Sequence, residues 1–140
     1  MRTGLIFGVL VLCMAACADV RETFRDAQGR NQGTATVRAQ GKTEYRDAMG
    51  RLQGTATPRG NGRTDYRDAQ GRMTMTAYEK GNGRTEYRDA QGRLQMTSYD
   101  KGSGKIEYRD AQGRLVGTSQ ERNGKVEYRD AQGRLQGSKR

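Results

Sequence analysis

Hydrophobic residues are distributed along this chain in two unlike ways. From Leu5 to Met14 they form a short apolar run, which Ala15 and Ala16 extend. After Cys17 they stand singly among charged and small polar residues, and they recur. Phe24, Tyr45, Tyr66, Tyr87, Tyr108 and Tyr128 follow one another at intervals of 21, 21, 21, 21 and 20 residues, a fixed period that marks a repeat architecture. Inside a unit the alternation has period two. Across residues 84–89, Thr85, Tyr87 and Asp89 share one face, and Glu86 and Arg88 share the other. Thr and Tyr suit a pleated surface, so residues 84–89 and 93–99 are predicted to be the two strands of a hairpin.

Two kinds of bend separate these segments. The first is Asp-Ala-Gln-Gly-Arg, varied only by Met49 in the second unit. Its Asp suits the first position of a type I turn, where the carboxylate accepts from nearby backbone N–H groups. Its Gly supplies the left-handed residue of a glycine bulge. The defining residues are Tyr45, Asp47 and Gly50; Tyr66, Asp68 and Gly71; Tyr87, Asp89 and Gly92; Tyr108, Asp110 and Gly113; and Tyr128, Asp130 and Gly133. The second bend is Gly60-Asn61-Gly62 and its relatives at residues 81–83, 102–104 and 123–124, which tolerate the positive φ of a tight hairpin. The expected fold is all-β: an antiparallel meander of about six 21-residue hairpins over residues 23–140, either one extended sheet or a β-solenoid. If Asp89 faces Arg93, then Arg88 faces Leu94, Tyr87 faces Gln95 and Glu86 faces Met96. The same register sets Tyr45 against Gln53 and Tyr108 against Val116. Neither face is then dry.

Composition sharpens the picture. Only 32% of residues are hydrophobic, there is no tryptophan, and the net charge is +10. Such a chain leans toward disorder, whereas repeats offset this by sharing one continuous stack of contacts. Helix after Cys17 is opposed by the frequency of glycine.

The start of the chain reads differently. Arg2, the apolar run and the small residues before Cys17 have the layout of a secretory signal peptide over residues 1–16, expected to be helical. The run is shorter than the roughly 20 residues of a membrane-spanning helix. Met14-Ala15-Ala16-Cys17 resembles a bacterial lipobox, with Met14 where leucine is commoner. The resemblance implies cleavage before Cys17, a lipid on its thiol, and acylation of the new amino group by a fatty acid such as palmitate. Ala18 rather than Asp follows the cysteine, which in that family favours the outer membrane. Cleavage without lipid and an uncleaved anchor are the alternatives. Residues 17–22 would then be a lipidated start and short linker. Losing residues 1–16 removes Arg2 and lowers the charge from +10 to +9.

The units resemble bacterial Tyr-Asp hairpin repeats of Rhs-type surface proteins, in which a Tyr, a nearby Asp and Gly-Arg-Leu recur. Here these are Tyr108, Asp110 and Gly113-Arg114-Leu115, and likewise Tyr128, Asp130 and Gly133-Arg134-Leu135. Arg109 and Arg129 stand between the Tyr and Asp that are adjacent in the family, and Met73 replaces leucine. The resemblance implies a scaffold with no catalytic residues. The composition points the same way. There is no histidine, and a lipidated Cys17 leaves no thiol, so the common general base and nucleophile are missing. No catalytic residue, cofactor or metal site is expected. Arg109 and Arg114 beside Asp110 oppose a calcium ion. The expected role is a membrane-anchored envelope lipoprotein, structural or adhesive, with membrane as its first partner. Rows of arginine, with Lys139 and Arg140, offer a second reading: binding of anionic envelope polymers, with nucleic acid less favoured outside the cytoplasm. A third is a subunit of an extracellular fibre, joined through open sheet edges.

Overall fold

The computed structural model describes residues 20–140. The expected signal helix over residues 1–16 and the lipid site Cys17 lie outside them. Twelve strands form six hairpins: β1 (Val20–Asp26) with β2 (Asn31–Val37), β3 (Thr43–Asp47) with β4 (Leu52–Gly60), β5 (Arg63–Asp68) with β6 (Met73–Gly81), β7 (Arg84–Asp89) with β8 (Leu94–Gly102), β9 (Lys105–Asp110) with β10 (Leu115–Arg122), and β11 (Lys125–Asp130) with β12 (Leu135–Lys139). β1 takes in Val20–Glu22, which the sequence reading places in a linker. Each strand pairs antiparallel with its sequence neighbours, and β1 also pairs with β12. The all-β hairpin meander forms as the sequence predicts. Its shape needs correction: the meander is neither an extended sheet nor a solenoid but a closed barrel.

Local chemistry explains the bends. Gly113 N–H donates to the Asp110 carbonyl at 3.0 Å, and Asp110 N–H donates to the Arg114 carbonyl at 2.9 Å. Gly113 has φ +82°, where a Cβ is disfavoured. The Asp110 carboxylate accepts from the backbone N–H groups of Gln112 and Arg114, both at 2.9 Å, and from Arg114 Nε at 2.7 Å. At the opposite end Asn61 and Gly62 take φ +50° and +68°, as a tight hairpin demands. Gln40 and Gly41, within a single 3-10 turn at Ala39–Gly41, do the same work between β2 and β3 with φ of +63° and +76°.

Register is the second correction. Leu94 faces Arg88 as expected, but a bulge follows, so that Tyr87 faces Met96 and Glu86 faces Thr97. Likewise Tyr45 faces Gly54 and Tyr108 faces Gly117. The extra residue is Gln95, which lies in the returning strand just past the Leu94–Arg88 pair and has no partner opposite it. A slip of one residue reverses every side chain on it. The tyrosine face therefore meets glycine, alanine, serine and methionine, and it is this face that becomes the barrel interior. Bulges also strengthen twist and coiling, which carries the sheet round until β1 reaches β12.

The interior alternates large and small. Phe24, Tyr66, Tyr87, Tyr108 and Tyr128 are buried on odd-numbered strands, and Tyr45 is half-buried; Ala35, Ala56, Ala77, Ser98 and Ser119 are buried on even-numbered ones. A Cβ at Gly117 would stand 2.6 Å from the Arg129 carbonyl oxygen, so the walls close to this distance only over glycine. Emptying one aromatic position in such a layer costs about 3–5 kcal/mol.

Candidate functional site

The inner wall is apolar on one side and polar on the other. β2, β4 and β6 contribute Ala35, Ala56 and Ala77 at mid-height; β8, β10 and β12 contribute Ser98, Ser119 and Lys139. The first side is filled by Ala56, Tyr66, Ala77 and Tyr87, with Tyr45, Met75 and Met96 packed against them. The second leaves a cavity of about 520 Å³ that reaches the Asn-Gly bends. Its floor is Tyr87 and Tyr108 with their serine partners. The Tyr108 and Ser119 hydroxyls are 3.1 Å apart, and those of Tyr87 and Ser98 3.4 Å. Ile106 and Val126 add aliphatic wall. Burial pushes the phenols of Tyr45, Tyr66, Tyr87, Tyr108 and Tyr128 above their ordinary range, so the floor is uncharged.

The carboxylates sort themselves by position. The chain has 16 acidic residues, of which all but Asp19 are described. Asp26, Asp47, Asp68, Asp89, Asp110 and Asp130 each pair with the arginine that ends their bend. On the outer wall Glu44, Asp65, Glu86, Glu107 and Glu127 are each held by two or three cations. Inside, Lys139 Nζ sits 3.0 and 3.1 Å from the two Glu22 oxygens, across the seam between β12 and β1. The remaining three, Glu79, Asp100 and Glu121, have no cation within salt-bridge distance among the described residues. All three line the cavity. They occupy equivalent positions on β6, β8 and β10, 21 residues apart.

The repeat-defining residues play scaffold parts. The Tyr row makes the core, and the Asp and Gly residues make the bends. The Arg51 guanidinium and then its backbone N–H hold Asp47 below the usual carboxylate range, against the opposing push of burial. Around Asp65, burial pushes upward but is outweighed by Arg63 and Arg59, so its carboxyl also lies low. The arginine rows are largely engaged: Arg109 donates to the Gly113 carbonyl at 2.9 Å and to Glu107, and its equivalents repeat the bond to glycine. Lys139, grouped by sequence with a basic chain end, is instead buried against Glu22. The outer wall carries Arg, Glu and Thr at mid-strand, without the tall apolar band of a lipid-facing barrel.

The cavity carboxylates recur at 21-residue spacing, but nothing in the sequence sets them apart from other surface acids. They lie beside the glycine bends, where acidic residues pass for solvated loop. Nothing local marks Glu22 and Lys139 as partners. The sequence matches no protein-family model, and it matches no curated protein with which it was compared.

Proposed function

We propose that this protein is a bacterial envelope lipoprotein, held to membrane by a lipid on Cys17, whose barrel acts by binding and not by catalysis. One observation carries the binding half: a 520 Å³ cavity within the size range of small-molecule sites, set in a rigid wall of paired strands. The anchor rests on the lipobox-like Met14-Ala15-Ala16-Cys17 and on where the barrel begins. β1 starts three residues after Cys17 and pairs with β12 near its end, so Val20 and Arg140 share the end of the barrel where the cavity opens. A lipid on Cys17 would hold that mouth within about 10 Å of the bilayer.

The other two readings receive less support. Closure pairs every strand on both sides, removing the open edges through which a fibre would grow. Most outer arginines already bond a carboxylate or a turn carbonyl, so a polyanion would have to compete with bonds the fold has made. The test is the intact mass of protein purified from membranes. The expected result is a chain starting at Cys17 with a diacylglycerol and a fatty acyl group added, lost to the soluble fraction on Cys17→Ser. An unmodified Cys17 overturns the anchor.

A further inference from the structure

We propose that the barrel cavity binds a linear polyamine, a flexible chain bearing two or three ammonium groups. This rests on the binding half of the proposed function and not on the lipid. In a chain of net charge +10, every described carboxylate has a cation beside it except Glu79, Asp100 and Glu121, and those three surround one cavity. Their strands alternate with β7 and β9, and neighbouring strands lie about 4.8 Å apart, so the three stand at intervals of roughly 10 Å around the mouth. That spacing decides the class of ligand. It is too wide for convergence on one metal ion, and no group of three acidic side chains among the described residues is close enough to hold one. It suits separate positive charges strung along one chain.

The rest of the lining fits such a molecule. Methylene segments would lie against the Tyr87 and Tyr108 rings and against Ile106 and Val126. Tyrosine faces also attract ammonium groups. The Ser98 and Ser119 hydroxyls can accept from an ammonium N–H. The cations in the lining are largely committed elsewhere. Arg84 bonds Glu86 at 2.7 Å, and Lys139 bonds Glu22. Arg140, at the rim, has its backbone paired to Thr23, and its guanidinium bonds none of the described carboxylate side chains.

The test is calorimetric titration of the purified full-length protein with spermidine at low salt. Saturable binding of about one equivalent is expected. The combined substitution Glu79→Gln, Asp100→Asn and Glu121→Gln should weaken it by roughly tenfold or more, the effect of removing on the order of 1.4 kcal/mol of interaction. These three residues are exposed at the mouth, so an unchanged far-UV circular dichroism spectrum is expected as the folding control. Glu107→Gln, on the outer wall, should leave binding unchanged. Equimolar magnesium should not displace the ligand. Absence of binding by the wild-type protein, equal binding by the triple variant, or displacement by magnesium overturns the proposal. A lipidated protein that ignores spermidine would refute this inference alone.

Discussion

Among the described residues the buried Tyr45 hydroxyl has no hydrogen-bond partner, whereas that of Tyr108 meets Ser119 at 3.1 Å. The two phenols stand at equivalent places, so their removal has opposite consequences. Tyr45→Phe should be neutral or stabilising by up to about 1 kcal/mol, because a buried unsatisfied hydroxyl is costly. Tyr108→Phe should lose about 0.5–1.5 kcal/mol. Urea midpoints at unchanged slope would measure both. Titration behaviour follows from the same environments. The carboxyls of Asp47, Asp65, Asp110 and Glu86 lie lower in the folded chain than in the unfolded one. Their contribution is therefore complete above the unfolded value near 4 and is lost as pH falls through the lower folded values. The buried phenols are raised, so their contribution is complete below about pH 10 and fades as pH rises beyond it. Thermal unfolding should show a plateau of stability between these limits. Phenolate absorbance from the core should rise together with loss of the β-sheet signal.

At the scale of the element, the bends carry the specification. Gly113 sits at φ +82° with open space where a Cβ would go, so Gly113→Ala is penalised by conformation alone. It should cost about 1–2 kcal/mol, measurable as a lowered urea midpoint. Asn123, at φ +52°, should tolerate glycine with little change, since glycine populates that region as readily. These bends were legible in the sequence because Asp, Gly and Asn-Gly act locally. The Gln40-Gly41 bend was not, since glutamine carries no strong turn signal. Register was legible only as far as the bulge: the Leu94–Arg88 pair stands, and everything beyond it moves by one. That single residue decided which face of six hairpins went inside, and with it the recognition of Ser98, Ser119, Glu79, Asp100 and Glu121 as interior or rim. A stretch of sequence shows its alternation but not which of two registers a bulge will select.

The whole molecule depends on one seam. β1 and β12 share only a short ladder, Phe24 with Lys139 to Asp26 with Gly137, backed by the Glu22–Lys139 pair. Lys139→Met should destabilise the barrel by about 1–3 kcal/mol, because it leaves the half-buried Glu22 carboxylate without its partner. Adding Glu22→Leu should recover most of that loss, and chemical denaturation of the single and double variants would show it. Closure was not legible in the sequence, because curvature accumulates over twelve strands and the pair that completes it is 117 residues apart. The seam also belongs to the terminal hairpins alone, and this bears on how such a molecule can change. Excising residues 66–86 removes one period and joins Asp65 to Tyr87, restoring the same local wording at the splice. The shortened chain should assemble as a ten-staved ring with a narrower bore, read as a monomer of reduced hydrodynamic radius with an intact β-sheet spectrum. Gain or loss of near-identical coding segments would then retune the width of the lumen two staves at a time.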